Sequence, residues 1–468
     1  MTEGPSPRPV RRAPSEFSLP VERAHLDRLV AGAPDWLAAD RTAAFEAYEA
    51  LPPETNLLYT TYLDLRPVEL AEATLVGPGM ASTITAAAAV TDAPLPDDAD
   101  GVMEIREGAP VAATLSPAAR AAGVILTSLG DLLATDPARA RELLDGAGTL
   151  PTDDRFAQLT RALWSEGMVL DVPPGVRLAR PILLRWTAGV PARATLGRTF
   201  IRLGDGARVS VVEELVPSGP DIDCAAGETV PQAFLAGTSE VSLGKGAELA
   251  VASIQDLGPR TVTFQHRTAR IGEGASLQWA LAQLGSRLTR SRVDNRLEGD
   301  RSSVEQAEIV FAGQDQLFDL TSYTRHIGRD TTGNLLSKGA LLDRARAFMK
   351  GMITIERSAV GTDSYLGEFG MNLSKDARSV AIPSLEIDQP DCRRAAHASS
   401  IGPIDEAQLF YLESRGIPPD EARKFIVLGF LEPVVARVPL ADAQDLLRSL
   451  LEAKWDASAT KPAAGAAA

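Results

Sequence analysis

The side chains that could bind a metal ion are few in this sequence. Its 468 residues include four histidines and two cysteines. His397 stands between a strand-like stretch beginning at Pro383 and a helical pattern over residues 404–414, and this change of periodicity marks a boundary between two structural units. A neutral imidazole is the commonest metal ligand in proteins, so His397 is the first candidate for chemistry. The alternative is a histidine that only completes a strand-to-helix turn.

The other histidines and the cysteines are weaker candidates. Cys392 could supply a thiolate, a ligand that suits soft metal ions, but a small incidental thiol is the simpler interpretation. Cys224 lies in a polar loop, and we expect it to be incidental. His266 and His326 fall in alternating segments, where structural histidines with satisfied hydrogen bonds are expected.

Compact catalytic and metal-binding motifs are missing from the sequence. There is no CxxC, no HExxH and no Cys/His cluster, so no self-contained zinc or cluster motif is present. The carboxylates Asp319, Glu368 and Glu386 are isolated, without the paired spacing that would specify a general acid and base.

Composition excludes several classes of function. Apolar residues make up 45% and charged residues 23% of the chain, which carries a net charge of −15. This is ordinary for a globular protein, and the acidic balance argues against a nucleic-acid partner. No window of roughly 18 apolar residues occurs that could span a membrane. Two distant cysteines fit a reducing cytosol, so we predict a cytoplasmic location.

A repeated turn organises the middle of the chain. LGDGARVSV from Leu203, LGKGAELAV from Leu243 and IGEGASLQW from Ile271 are near copies, with weaker echoes from Leu297 and Leu341. Recurrence at roughly 25 to 45 residues, each turn leading into an alternating strand, is typical of a solenoid. We therefore predict a mainly β protein with a right-handed parallel β-helix core; a β-sandwich is the alternative. The turns lack the GxxxxGK[ST] spacing of a phosphate-binding loop.

The regions flanking this core are predicted to be helical. Around the solenoid core we expect an N-terminal helical or α/β region and a C-terminal helical subdomain, with a Pro- and Arg-rich leader and an Ala-rich tail that are disordered. The predicted boundaries are 1–18 for the leader, 19–166 for the N-terminal region, 167–402 for the β-helix core, 403–456 for the C-terminal subdomain and 457–468 for the tail.

At the boundary with His397 the residues carry a family likeness. The run HASSIGPIDEAQLFYLESRGIPPDEARKFIVLGF, residues 397–430, resembles the C-terminal signature of the SufB/SufD iron–sulfur scaffold family. The likeness continues upstream through NLSKDARSVAIPSLEI and covers about residues 165 to 455, whereas the N-terminal third is only weakly similar.

The resemblance implies a scaffold role and two partners. Members of this family pair with a related subunit through the β-helix and bind an ABC-type ATPase, SufC, through the C-terminal helices. The resemblance therefore implies a SufB-like partner and a SufC-like ATPase, with ATP-driven motion opening the scaffold interface. It also implies that Leu409, Phe410 and Leu412, which we place on one apolar side of a helix, contribute to the ATPase dock. Ordinary packing against the end of the β-helix is an equal alternative.

The branch of the family is indicated by two short stretches. SufB-like members carry a cysteine before the PxxE element, whereas residues 365–383 contain none. The run HASSIG from His397 fits the SufD-like form better than the HEATT form of SufB-like chains. The chain departs from the SufD-like pattern at Ala395, where a cysteine is usual. The resemblance thus leaves His397 as the sole matching interface residue, and it implies that the imidazole is an iron ligand shared with a partner.

Together these observations predict a non-enzymatic, SufD-like scaffold subunit of an iron–sulfur cluster assembly complex. We expect no permanently bound cofactor and only a transient cluster at a subunit interface. A β-helical carbohydrate-active enzyme is one alternative, but it should show clustered acids and aromatic platforms, and aromatic residues are only 5% of the chain. A purely structural interaction protein is another, and its partner binding would be indifferent to His397.

Overall fold

A computed structural model of the chain describes residues 17–77, 95–146, 150–219, 230–438 and 440–459. The predicted leader (1–18) and tail (457–468) therefore lie mostly outside the described residues, and Cys224 lies outside them entirely.

Two sheets, each of ten strands, form the body of the protein. The first sheet contains β1 (Thr74–Leu75), β4 (Ile125–Ser128), β5 (Glu166–Val172), β7 (Arg193–Leu203), β9 (Ala233–Leu243), β11 (Thr261–Ile271), β13 (Leu288–Leu297), β15 (Leu317–His326), β17 (Arg346–Ile355) and β19 (Arg378–Ile387). The second contains β2 (Gly101–Arg106), β3 (Ala109–Leu115), β6 (Ile182–Ala188), β8 (Arg208–Pro217), β10 (Glu248–Gln255), β12 (Ser276–Gln283), β14 (Ser303–Ala312), β16 (Thr332–Leu341), β18 (Asp363–Asn372) and β20 (Arg394–Gly402).

From β5 onward the chain alternates between the two sheets, so that each coil gives one strand to each. Successive strands within a sheet are parallel and in register. This confirms the predicted mainly β fold with a parallel β-solenoid core; its handedness stays a prediction. At the beginning of the solenoid, β3 pairs antiparallel with β2 and β4 pairs antiparallel with β5.

The repeated glycine turns are the corners between the sheets. In the turn after β11 the first glycine, Gly272, packs against the preceding coil, because a Cβ there would lie 2.6 Å from the carbonyl oxygen of Leu243. The second, Gly274, has a φ of +63°, a conformation in which a Cβ is strained. The two glycines of the motif are thus required for different reasons: close stacking and a left-handed backbone.

Helices cover the outer faces of both sheets. The N-terminal ones are α1 (Arg23–Val30), α2 (Asp35–Ala50), α3 (Pro117–Ala121), α4 (Leu129–Thr135), α5 (Pro137–Gly146) and α6 (Arg155–Leu163), and the C-terminal ones are α7 (Glu406–Ser414), α8 (Pro419–Val435) and α9 (Ala441–Ala459). Helices α1, α2 and α6 share a buried apolar cluster with the first sheet, and α8 and α9 share one with the second. None of the helices in the described part of the chain is long and apolar enough to cross a membrane.

A buried ionic cluster fastens the N-terminal region to the first sheet. Asp154 caps α6 by accepting from the backbone N–H groups of Phe156 and Ala157. Its carboxylate also lies 2.7 Å from Arg290 and 3.2 Å from Arg292, with all three side chains buried. Burial alone would raise the pKa of the Asp154 carboxyl, but the two guanidinium groups hold it well below its usual range. One carboxylate therefore joins a helix N-terminus to strand β13.

We predict that Asp154→Asn lowers the free energy of unfolding by about 3 kcal/mol, because it leaves two buried guanidinium groups without their shared counter-charge. Urea unfolding followed by tryptophan fluorescence measures this change. Asp153→Asn is the matched control, since the side chain of Asp153 is 60% exposed and its loss should change little. Equal effects of the two substitutions would contradict the assignment.

The same cluster predicts a pH dependence. A carboxyl whose folded-state pKa is depressed stabilises the fold above its unfolded value, 3.8 for Asp154, and this contribution is lost as the pH falls below that value. The wild type should therefore lose stability at acidic pH more steeply than Asp154→Asn does.

The glycine corner gives a second prediction. Gly274→Ala should destabilise by about 1–2 kcal/mol through left-handed strain alone. Gly272→Ala should cost more, because the backbone of the preceding coil must move. Thermal unfolding midpoints compare the two variants, and a larger loss for Gly274→Ala would show that the strain and not the stacking limits the corner.

Candidate functional site

The last coil of the solenoid is open on its outer side. Strand β19 ends the first sheet and β20 ends the second, so each has a neighbouring strand on one edge only among the strands that the structure describes. The two strands also lie beside each other across the interior. Unpaired edges of this kind are templates for another chain. The open end formed by β19 and β20 is therefore the candidate functional surface.

His397 lies on this open end, in β20. It is in register with Leu366 of β18, and residues in register point to the same face of a sheet. Leu366 is buried in the interior, so His397 projects from the interior face. It is nevertheless exposed, because no later coil covers it. Ala395 and Ser399, two residues before and after His397 in β20, lie on the same face of the sheet as His397.

The backbone of His397 also faces the free edge. The N–H of Arg394 donates to the carbonyl of Thr362 in the preceding coil at 3.3 Å, so even-numbered residues of β20 direct their N–H and C=O groups inward, toward β18. The odd-numbered residues, His397 among them, direct theirs outward. The exposed imidazole thus stands on a strand that can still accept a pairing strand.

Two large apolar side chains lie near the ends of these edge strands. Ile387 of β19 is 45% exposed and Ile401 of β20 is 39% exposed. In β19, Pro383 occupies an odd position. Its missing N–H points to the free edge, which is where a sheet tolerates proline. The open end therefore combines unpaired backbone, apolar side chains and one imidazole.

The three residues predicted for an ATPase dock do not share one environment. Leu409 is buried and Leu412 is half-buried, whereas Phe410 is 73% exposed. The spacing of Leu409 and Leu412 places both on one face of α7, and the structure directs Phe410 away from it. Tyr411 and, on the adjacent helix α8, Phe425 are also exposed. Sequence reasoning missed these two aromatic residues, although the run LFYL does show them next to Phe410.

The other candidate residues have structural surroundings. Cys392 is half-buried and packs against an interior apolar cluster. His266 hydrogen-bonds through Nε2 to Asp294 at 2.8 Å. His326 is buried, with one ring nitrogen 2.8 Å from Thr331 and the other bonded to a serine, and burial lowers its pKa to about 4. Both ring nitrogens of His326 are thus satisfied, as expected, whereas Nδ1 of His266 is buried, 3.9 Å from Asp154, without a hydrogen-bond partner among the described residues.

Two of the carboxylates that looked isolated in the sequence are in fact buried and engaged. Asp319 lies 2.7 Å from Lys350. Glu368 is buried on the interior face of β18, and its carboxylate accepts from the backbone N–H of Ile382 at 2.9 Å. Burial raises the pKa of Glu368 to about 8. Its inward position follows from the alternation in DSYLGEFG, a signal that was available in the sequence. Among the residues that the structure describes, no three His, Cys, Asp or Glu side chains gather as a metal site.

Comparison with known proteins agrees with the fold and the signature run. The family described as "SUF system FeS cluster assembly, SufBD core domain" matches residues 186–430, which reach from β6 to α8. The iron–sulfur cluster assembly protein SufD of Bacillus subtilis is 27% identical over 350 residues, covering 75% of this chain and 78% of that protein. Iron–sulfur cluster assembly SufBD family proteins of Staphylococcus haemolyticus and Staphylococcus saprophyticus are each 27% identical over 296 residues, covering 63% of this chain and 62% of their own length. The chain therefore belongs to the SufBD family of iron–sulfur cluster assembly proteins, as a SufD-like member.

Proposed function

We propose that this chain is a non-enzymatic scaffold subunit whose open end pairs with a SufB-like subunit in the cytoplasm. The observation that carries the proposal is the exposed imidazole of His397 on an unpaired strand at the end of the solenoid. A partner strand that pairs with β20 would lie directly beside this imidazole. Backbone hydrogen bonds would supply affinity, and the side chains between them would supply specificity.

Within that interface His397 contributes one ligand to iron delivered as cargo. Imidazole binds iron well in its neutral form, and the side chain is exposed without needing a structural change. Ala395, two residues earlier on the same face, offers no donor atom. The partner's side chains therefore supply the remaining ligands, and the cluster is held only while the two subunits are together.

The C-terminal helices are the surface proposed for a SufC-like ATPase. Phe410 and Tyr411 of α7 and Phe425 of α8 present exposed aromatic rings, the residue type that dominates binding energy at interfaces. Three residues, 403–405, connect β20 to α7. Movement of α7 by the bound ATPase would thus be passed directly to the strand that carries His397.

The ligand role predicts a selective loss in His397→Ala. The variant should co-purify with a SufB-like chain and SufC as the wild type does, since the imidazole is exposed. After anaerobic reconstitution the variant should bind roughly half as much iron and sulfide as the wild type, or less, because one ligand to the iron is missing. Ser399→Ala, on the same strand and face, is the matched control. Equal loading of the wild type and His397→Ala would refute the ligand role, and loss of the complex would instead show that the histidine is structural.

The docking role predicts different consequences for two neighbouring residues of α7. Phe410→Ser should weaken binding of a SufC-like ATPase at least about tenfold, the effect of losing an aromatic anchor, without changing the thermal unfolding midpoint. Leu409→Ala should lower that midpoint, because it removes a buried side chain. Calorimetric titration of the ATPase distinguishes these outcomes, and an unchanged affinity of Phe410→Ser would exclude this surface as the dock.

A further inference from the structure

The line of contact between β17 and the end strand β19, here called the seam, contains side chains as well as backbone. At its two ends, the N–H groups of Arg378 and Asp388 donate to the carbonyls of Ala345 and Ile355 at 3.0 and 2.9 Å. Even-numbered N–H groups of β19 therefore face β17. The N–H of Ile382 belongs to this set, yet it donates to the carboxylate of Glu368 at 2.9 Å. A side chain from the other sheet thus reaches the middle of the seam.

A second side chain reaches the seam from the outer face. Tyr59, which is fully buried, donates its hydroxyl to the carbonyl of Gly351 at 3.0 Å. The register that joins Arg378 to Ala345 places this carbonyl opposite the N–H of Ser384. Two backbone groups that β17 and β19 direct toward each other are therefore bonded by side chains from opposite sides of the sheet.

The interior is shaped for the carboxylate. A Cβ at Gly351 would lie 2.9 Å from Oε1 of Glu368, so any larger residue there would displace the carboxyl group from the seam. Glu368 is itself only 2% exposed. The position of the carboxyl group is fixed by packing and by the hydrogen bond that it accepts from Ile382. A small displacement of this group would therefore also displace β19.

The charges around Glu368 leave it without a dedicated counter-ion. Lys350 of β17 favours its ionised form, but the Lys350 ammonium lies 2.7 Å from Asp319. Glu308 of β14 opposes ionisation; it occupies the same register position two strands away, with Ser337 between them. Burial is the largest effect. It outweighs the hydrogen bond from the N–H of Ile382, which favours the ionised form, and the pKa of Glu368 is raised to about 8. At neutral pH the group is mainly a neutral carboxylic acid.

We propose that Glu368 is a positioning residue for the open end: in its neutral form it holds the middle of β19 in place, and ionisation favours a state in which β19 separates from β17. The inference rests on the proposed function only for the identity of the partner that docks on this edge. Because docking needs an ordered edge strand, the same proton controls how much of the chain is ready to bind.

The direction of the effect follows from linkage. An ionised carboxylate is costly in the interior but is hydrated once β19 opens. Between the ordinary pKa of 4.5 and the raised value of about 8, the open state holds fewer protons than the closed one. The equilibrium constant for opening of β19 should therefore rise about tenfold for each pH unit in this window. Above the raised pKa this constant should no longer change with pH.

Hydrogen exchange of the isolated chain, followed by mass spectrometry from pH 5 to 9, tests the proposal. Exchange is expressed as a protection factor, that is, relative to an unstructured peptide at the same pH. Protection of β19 should fall about tenfold per pH unit up to pH 8 and then level. Peptides from β9 in the same sheet, far from Glu368, should show no such slope. A flat profile for β19 in the wild type would overturn the proposal without any variant.

Variants separate the carboxyl group from general loosening. Glu368→Gln keeps the size and the acceptor oxygen but cannot ionise, so the slope of β19 should vanish. Glu308→Gln should keep the fall in protection of β19 with pH. The pH at which this fall levels off should be lower, because the negative charge that repels ionised Glu368 is gone. Tyr59→Phe should reduce the protection of β19 by a similar factor at every pH and leave the slope unchanged. A slope that persists in Glu368→Gln would overturn the assignment.

The consequence for docking is measured separately. Affinity for a SufB-like chain should fall between pH 7 and 9 for the wild type and not for Glu368→Gln. If no SufB-like chain binds at any pH, the proposed function fails while hydrogen exchange still decides the role of Glu368. If the affinity of both proteins changes equally, control of docking by this proton is refuted.

Discussion

Parallel pairing in register is the constraint on which the rest of this structure depends. Each inner strand satisfies its backbone groups with strands one coil before and one coil after it, so the solenoid is self-sufficient everywhere except at its two ends. The chain treats these ends differently. Antiparallel strands β3 and β4 extend the sheets beyond the first coil, whereas no other strand in the described part of the chain pairs with the outer edge of β19 or β20. This asymmetry leaves the last coil as the place where a further strand could be added.

The interior carries acids whose partners change along the solenoid. Glu213, Glu308 and Glu368 occupy one register position, connected through intervening residues of β10, β12 and β16. Glu213 has a buried partner in Arg267 at 2.7 Å. Glu308 instead accepts from the amide of Gln283 at 3.3 Å, and burial raises its pKa to about 7. Toward the open end the two interior acids Glu308 and Glu368 therefore have raised pKa values, and neither forms an ion pair with an arginine among the described residues.

The helices complete the protein by covering what the solenoid cannot bury on its own. The outer face of the first sheet is apolar at several positions and is covered by α1, α2 and α6, with Asp154 as the buried ionic connection. The outer face of the second sheet is covered by α8 and α9, and Lys338 of β16 donates to the carbonyl of Phe430 at 2.7 Å. Helix α7 connects β20 of the open end to this firmly packed pair along the chain.

The sequence by itself determined the fold class, the glycine corners and the location of His397 at the junction of strand and helix. These features are local: a left-handed glycine, an alternating strand and a change of period are all encoded within a few residues. Only the tertiary structure decided that His397 is exposed on an unpaired edge, that Phe410 is separated from Leu409, and that Glu368 reaches the backbone of β19. Each of these depends on which coil lies next to which residue, and contacts that occur once, outside the repeated turn, leave no periodic trace in the sequence.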